Sequence, residues 1–300
     1  MHSYVDFGHG AVPWLELDGA DGATEQQTIH LSPANGIPVA SYASFIESFP
    51  SSFHFTGMDC RGAWPGQPAP NRRFNWHRHA DDLIAAIESK HTKPVIGMGH
   101  SLGGTVTALA ASKRPELFSR IIIIDPASLP SKYASYFYDQ MPQWVAFRML
   151  PFIRRTHARQ RIWSSREAFV ENYRNHPTYK NFTDRALLDY AQAGLQKRED
   201  GRYELVFNPE WESFNFRRVY FLWAALQKVS LPVFFLRAEN TYLYSQERFT
   251  QLNQSLGDNV LATNIPNSNH LVTHENPEAL SKQIQAWLAG DLDTARRGIR

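Results

Sequence analysis

The chain has 300 residues, of which 43% are hydrophobic and 20% charged, and its formal net charge is +2. This composition is typical of a globular protein, and the near-neutral charge gives no reason to expect nucleic acid or an anionic membrane as a partner. Cys60 is the only cysteine, which excludes an intramolecular disulfide and fits a reducing compartment. With no signal-peptide pattern and no apolar run suited to membrane insertion, we expect a cytoplasmic protein.

Short apolar runs alternate with helical patterns through residues 1–126. An unbroken isoleucine run at Ile121–Ile124 is typical of a strand that is buried on both faces of a parallel sheet. The alternation predicts an α/β fold with a mostly parallel, doubly wound sheet, whose ligand site lies beyond the carboxyl ends of the strands. The predicted strands are Val12–Leu17, Gln27–Leu31, Phe53–Met58, the run from Pro94 and Ile121–Ile124; the predicted helices are Ser41–Phe49, Trp76–Ser89 and Thr105–Lys113.

The run from Pro94 passes through a tight turn into a helix, and the turn has the pattern Gly-x-Ser-x-Gly at Gly99, Ser101 and Gly103. A serine on so sharp a turn has a strained backbone and an exposed Oγ, and its neighbours must be small. The next N–H, that of Leu102, would lie at a helix N-terminus, which favours an oxyanion. The alternative is a glycine-rich turn whose serine has no catalytic role.

The pattern changes between residues 127 and 230, where no clear strand occurs and the segment is predicted to be mainly helical. We predict that it is an insertion folded over the strand ends as a cap, or lid. Most of its aromatic residues would pack the cap on the body, and a few would line an apolar pocket above Ser101. Candidates for that pocket are Trp144, Phe147 and Trp163.

The sheet is predicted to resume at Val233–Leu236 and Val260–Ile265. A helix near Ser245–Leu256 lies between these strands, and Asn276 and Pro277 are expected to begin the last helix. We expect residues 291–300 to fray because they are polar.

Four segments in this order resemble the α/β-hydrolase superfamily, and are most similar to bacterial single-chain esterases with a helical cap. They are Asn35–Pro38, Asp59–Gly62, Gly99–Gly103 and Ser268–His270. The resemblance implies an α/β-hydrolase core of residues 1–126 and 231–300 and a helical cap of residues 127–230. By family position, the oxyanion would be held by the backbone N–H groups of Leu102 and Ile37.

A serine hydroxyl is a poor nucleophile that needs a base within hydrogen-bond reach and a carboxylate to orient that base. Ser101 would be the nucleophile, and His270 the base because it directly follows the last strand. The other candidate histidines are weaker. His100 lies inside the turn and would pack it, and His274 could lie at the surface. His30 would pack before the segment Asn35–Pro38, which contains Ile37 and which we call the oxyanion loop.

The sequence leaves two carboxylates as candidates for the acid that orients His270. Related proteins often have an aspartate after the penultimate strand, where this chain has Thr241. Asp125, which ends the preceding strand, is the favoured acid, and Glu239 is the alternative; both keep the order serine, acid, histidine. Asp125 could instead only cap the turn before Pro126.

The resulting prediction is a serine hydrolase that cleaves carboxylic esters with small to medium acyl groups through an acyl-enzyme. The alternatives are hydrolysis of a carbon–carbon bond in a ring-cleavage product, and a small-molecule receptor on the same fold. We expect no cofactor and no metal, and the oligomeric state is not predicted.

Two further features are expected to be structural or to contact the substrate. Asp59 is expected to hold the Arg61–Gly62 loop. The arginines of residues 154–166 are expected to form a solvated helix face or to contact an anionic part of the substrate.

Overall fold

A computed structural model describes residues 3–8, 10–17 and 26–298. Two sheets and the helices packed on them make up this part of the chain. The strands are β1 (Ser3–Val5), β2 (Val12–Leu17), β3 (Gln27–Ser32), β4 (Phe53–Met58), β5 (Val95–His100), β6 (Phe118–Ile124), β7 (Ile162–Trp163), β8 (Leu195–Lys197), β9 (Tyr203–Leu205), β10 (Val233–Ala238) and β11 (Val260–Ile265).

The α-helices vary from one turn to four turns in length. They are α1 (Ala43–Glu47), α2 (Trp76–Lys90), α3 (Leu102–Lys113), α4 (Lys132–Gln140), α5 (Gln143–Met149), α6 (Pro151–His157), α7 (Arg166–Arg174), α8 (Asp184–Gly194), α9 (Pro209–Asn215), α10 (Trp223–Leu226), α11 (Gln246–Asn253), α12 (Val272–Glu275), α13 (Pro277–Leu288) and α14 (Leu292–Arg297). Short 3₁₀ helices lie at Val39–Tyr42, Arg61–Ala63 and Pro115–Leu117.

Eight strands form the main sheet in the order β1-β2-β4-β3-β5-β6-β10-β11. The pairs β1–β2 and β2–β4 are antiparallel, whereas every pair from β4 to β11 is parallel. The predicted class, a mostly parallel doubly wound α/β sheet, is therefore confirmed. Because the inner strands are parallel, the loops after β3, β5, β6, β10 and β11 leave the sheet at one edge.

The isoleucine run of β6 is buried on both faces, as predicted. Ile122 and Ile124 pack in the apolar layer that contains α1, α8 and α13, whereas Ile121 and Ile123 pack in the opposite layer with α2, α3 and α11. Helices on both faces remove the sheet from water, so neither face requires polar alternation.

Two predictions at the ends of elements need correction. The Ser41–Phe49 segment is a 3₁₀ turn followed by the short α1, not one helix. The expectation that residues after 291 fray is wrong up to Arg297, because they form α14: Ala295 is buried, and its carbonyl accepts a hydrogen bond from Gln283. Residues 299–300 lie outside the described residues.

Residues 127–230, which we call the insertion, contain α4–α10 and the small sheet β7-β9-β8. The sheet corrects the prediction that this segment has no strand: its strands have two or three residues, too few for alternation to be visible. The insertion places α8 against the 3₁₀ turn at Val39–Tyr42. Its last helix, α10, instead packs in the layer of α3.

No helix of the described ranges combines the length and the apolar character needed to cross a membrane.

Candidate active site

Ser101 lies on the turn between β5 and α3, with φ 54° and ψ −116°. A non-glycine residue at such a φ is strained and is retained only where the surroundings fix it. Packing fixes it here: a Cβ on Gly99 would lie 2.3 Å from the carbonyl oxygen of Gly103, and one on Gly103 would lie 2.1 Å from that of Ser32. The glycines are therefore a steric requirement of the turn, as the sequence predicts.

His270, in the loop between β11 and α12, lies beside Ser101. Its Nε2 is 3.0 Å from Ser101 Oγ, which is hydrogen-bond distance. Both side chains are mostly buried. The Tyr242 ring, which is itself exposed, packs against the His270 imidazole at a centroid distance of 5.2 Å and an interplanar angle of 66°.

Asp125, at the end of β6 with φ 36°, is fully buried, and its Oδ2 lies 2.6 Å from Nδ1 of His270. The Thr241 hydroxyl donates to the same oxygen at 2.7 Å, and the Ala238 N–H donates to Oδ1 at 3.0 Å. These donors suit an ionised carboxylate, which only accepts. His270 therefore has its proton on Nδ1, and Nε2 is free to accept from Ser101.

The other candidate acid lies elsewhere. Glu239 is exposed, and its Oε2 accepts a hydrogen bond from the N–H of Asn267 at 2.6 Å. This contact ties the loop after β10 to the loop after β11. Of the two carboxylates that the sequence left open, the structure brings Asp125 to His270 and leaves Glu239 on the loop surface.

His100 connects the loop between β11 and α12 to the segment from Ala34 to Tyr42, a role that its position in the turn did not predict. Its Nε2 lies 2.8 Å from the carbonyl oxygen of His270, which can only accept, so Nε2 has the proton. Nδ1 then accepts from the Tyr42 hydroxyl at 2.8 Å, and that hydroxyl accepts from the N–H of Ala34 at 2.9 Å. Burial lowers the pKa of His100 well below its usual value, which keeps it neutral.

The remaining candidate histidines are structural. His274 is fully buried, contrary to a surface position; its Nε2 lies 3.1 Å from Ser41 Oγ, and its ring stacks on Phe182. His30 is buried in β3 with Nδ1 3.0 Å from Thr56 Oγ1. Burial lowers the pKa of His30 and of His274 to about 3, so both are neutral at pH 7.

The two predicted oxyanion donors differ in their surroundings. Leu102 is the first residue of α3, where an N–H has no partner inside the helix and forms part of the positive end of the helix dipole. The Ile37 N–H donates to the carbonyl of Ala34 at 3.2 Å within a turn whose third residue is Gly36. An oxyanion at Ile37 would therefore have to share or replace this bond.

A buried ion pair from the insertion covers the oxyanion loop. Arg159 Nη1 lies 2.5 Å from Glu212 Oε2, and Nη2 donates to the Tyr190 hydroxyl at 3.1 Å. The Glu212 carboxylate packs so closely on Gly36 that a Cβ there would lie 2.6 Å away from it. The Asn35 side chain donates to the Glu212 carbonyl at 2.9 Å. From the sequence, Arg159 was expected on a solvated helix face or against an anionic part of the substrate. Its actual partners lie too far along the chain for a pattern to predict.

The predicted pocket aromatics occupy different surroundings. Trp163 is buried against Phe169 and Tyr173 and belongs to the packing. Phe147 contacts the His157 ring at a centroid distance of 5.1 Å, and Trp144 is exposed on α5.

Asp59 holds the far end of the oxyanion loop. Its Oδ1 accepts from the Val39 N–H at 2.6 Å, whereas its buried Oδ2 has no partner among the described residues. A cavity of about 20 Å³ lies beside it and is also lined by Leu102 and Gly103, behind the Ser101 turn. Burial raises the pKa of Asp59 to about 7. The predicted Arg61 contact is instead with Asp82, at 2.6 Å.

In the part of the chain that the structure describes, no cluster of three or more His, Cys, Asp or Glu side chains is arranged to hold a metal ion.

Comparison with known proteins adds the family. The model of the "Alpha/beta hydrolase family" matches residues 36–283. The uncharacterized hydrolase YugF of Bacillus subtilis is 24% identical over 225 residues, which are 74% of this chain and 76% of that protein.

Solved structures share the fold at lower identity. E-2-(acetamidomethylene)succinate hydrolase superposes with a TM-score of 0.77 at 20% identity and covers 96% of this chain and 99% of its own. The esterase Rv0045c of Mycobacterium tuberculosis has a TM-score of 0.66 at 15% identity, with 96% of this chain and 92% of its own covered.

Proposed function

The chain belongs to the alpha/beta hydrolase family, and on that premise we propose that it is a serine hydrolase of carboxylic esters with small to medium acyl groups. The observation that carries the proposal is the hydrogen-bonded series from Ser101 Oγ to His270 Nε2, at 3.0 Å, and from His270 Nδ1 to Asp125 Oδ2, at 2.6 Å. This is the arrangement that activates a serine hydroxyl for acyl transfer.

In the proposed reaction, Ser101 Oγ attacks the ester carbonyl while His270 Nε2 removes the hydroxyl proton. Asp125 stabilises the resulting imidazolium without taking its proton. His270 then gives the proton to the leaving alkoxide, which releases the alcohol and leaves an acyl group on Ser101. Water then attacks the acyl carbon while His270 Nε2 removes its proton. The bond between the acyl carbon and Ser101 Oγ breaks, Oγ takes the proton back from His270, and the carboxylic acid leaves.

The oxyanion formed in each step would accept hydrogen bonds from the N–H groups of Leu102 and Ile37. Loss of one such donor typically costs about 10²–10³ in rate. Because the Ile37 N–H already donates to Ala34, we expect the turn at Asn35–Ile37 to tighten on the oxyanion only when substrate is bound.

The test is hydrolysis of p-nitrophenyl esters across an acyl-length series, with Ser101→Ala assayed beside the wild type. A fluorophosphonate probe followed by mass spectrometry should place one adduct on Ser101. Turnover with a preference for short or medium chains, abolished in Ser101→Ala, is the expected result.

Two other outcomes would replace the proposal. Consumption of a vinylogous dienoic acid faster than any ester would indicate carbon–carbon bond hydrolysis. Absence of turnover on both substrate classes, with ligand binding retained in Ser101→Ala, would indicate a receptor.

A further inference from the structure

The outer face of the insertion presents aromatic side chains to water. Every side chain of α4 is at least partly exposed, and Tyr133, Tyr136 and Phe137 are 88%, 72% and 57% exposed. The spacing i, i+3, i+4 puts these three rings on one face of the helix. Trp144, on the next helix, is 72% exposed. Exposed aromatic side chains grouped on one helix face mark an interaction site.

Both ends of α4 are held in place. At its C-terminal end Asp139 Oδ1 pairs with Nη1 of the buried Arg218 at 2.6 Å. Just before its start, the Pro130 carbonyl accepts from the Arg248 guanidinium at 2.5 Å. The aromatic face is therefore presented by an anchored helix and does not result from a free segment.

The exposed charged side chains of the three successive helices α4–α6 have one sign. Lys132, Arg148, Arg154 and Arg155 are exposed, and none of them forms an ion pair with another described residue. Asp139 is the only acidic residue between Pro126 and Arg166, and Arg218 neutralises it. The overall charge of +2 conceals this segregation.

We propose that α4–α6 form a docking surface for an anionic lipid–water interface. Exposed aromatic rings together with unpaired arginine and lysine side chains are the combination by which peripheral proteins bind anionic membranes. A second copy of this chain is disfavoured as the occupant, because a symmetric contact through this face would oppose like charges. The segment is too short and too polar to span a bilayer, so the protein would lie on the surface.

The probe is sedimentation with vesicles of phosphatidylcholine alone and of phosphatidylcholine containing phosphatidylglycerol. Two variants separate the two components: Tyr133→Ser/Tyr136→Ser/Phe137→Ser removes the rings, and Arg154→Gln/Arg155→Gln removes two charges. The matched control is Arg296→Gln/Arg297→Gln, which removes two exposed charges from α14.

We expect the wild type to bind the anionic vesicles preferentially and to dissociate at high salt. The Arg154/Arg155 variant should partition roughly 30-fold less, from roughly 5-fold per cation. The ring variant should also lose binding, and the α14 control should bind like the wild type. None of these measurements depends on ester turnover, so they fail or succeed independently of the proposed function.

Equal binding to neutral and anionic vesicles, or no binding to either, would overturn the proposal. So would a ring variant that binds as the wild type does. If size-exclusion chromatography shows a dimer that the ring variant abolishes, while vesicles bind neither protein, the surface is a self-association interface instead.

Discussion

The loops at the strand ends and the insertion both approach the oxyanion loop, but they are positioned by different means. Ser101 and Asp125 are held by their own backbones, each at a positive φ directly after a buried strand. The insertion is held by side chains that meet over long sequence separations, such as Asn35 with Asn215 at 2.9 Å and Arg159 with Glu212. We therefore expect changes in the loops to affect rate, and changes in the insertion to affect stability and access.

The largest effect that this comparison predicts is that of Asp125→Asn. An asparagine in that position would favour the wrong tautomer of His270, and kcat should fall by roughly 10⁴. Glu239→Gln is the matched control, because the Glu239 carboxylate accepts from the Asn267 N–H and does not contact His270. Steady-state kinetics on the preferred ester measure both variants.

The opposite result for these two variants would contradict the proposed difference between the loops and the insertion. If Glu239→Gln loses the activity and Asp125→Asn keeps it, the hydrogen bonds of Asp125 serve only to build the turn.

Arg159→Met probes the insertion. Removing the arginine leaves the buried Glu212 carboxylate unpaired, and such losses cost about 3–5 kcal/mol of stability. Arg159→Met/Glu212→Leu should recover most of that loss, because neither charge is then buried. Urea unfolding followed by circular dichroism gives the free energies, and kcat of the folded double variant should stay within about tenfold of wild type.

A double variant as unstable as Arg159→Met would mean that the pair's packing, rather than its charge, fixes the insertion. A double variant that is stable but inactive would place Arg159 or Glu212 in the chemistry and remove the distinction between the two regions.

Asp59 allows the loops at the strand ends to be tested through the pH dependence of the protein's stability. Burial raises its pKa to about 7 from 3.8, so between these values the unfolded carboxyl is ionised while the folded one stays protonated. The folded state then binds more protons, and its stability falls as pH rises from about 4 to about 7, by up to about 1.4 kcal/mol per pH unit.

Asp59→Asn isolates this effect, because it keeps an acceptor for the Val39 N–H and removes the titration. The buried His30 and His274 act in the opposite direction over the same range, but they are present in both proteins and cancel. The stability difference, wild type minus variant, should therefore fall with pH. A difference that is constant from pH 4 to pH 7 would show that Asp59 does not titrate there.

The same division explains what could be predicted from the sequence. The bounds of β2, β4 and β11 match the predictions because each is a local apolar pattern. The Ser101 turn was recognisable because its Gly-x-Ser-x-Gly pattern is local. The contacts that require its glycines are local only for Gly99, which meets Gly103, whereas Gly103 approaches the Ser32 carbonyl of β3. The strands β7–β9 are too short for a pattern, and α14 is polar and is held against the body by tertiary contacts such as the bond from Gln283 to Ala295.

The candidate site divides in the same way. Ser101, His270 and Asp125 could be proposed because each follows a recognisable strand, but the choice between Asp125 and Glu239 depends on where two loops meet. Tyr42 and Glu212 could not be identified, because their partners lie far away in the sequence. Thr241 gave a signal in the sequence, as the residue standing where an acid was expected.

The last prediction concerns Thr241, whose hydroxyl donates to the same Asp125 oxygen that accepts the His270 Nδ1 proton. A valine of similar size removes that donor and leaves the carboxylate freer to turn away from His270. Net values for hydrogen bonds to charged groups are about 1.5–3 kcal/mol, so Thr241→Val should lower kcat by roughly tenfold or somewhat more.

Thr241→Ser is the matched variant, because it keeps the hydroxyl and should recover most of the rate. The loss in Thr241→Val should appear in kcat with KM little changed, because the threonine contacts the acid and not the substrate. A purely structural role would instead lower the stability of both variants and leave kcat of the folded protein unchanged. A loss confined to KM would mean that Thr241 faces the substrate pocket, and the hydroxyl would then not position the acid.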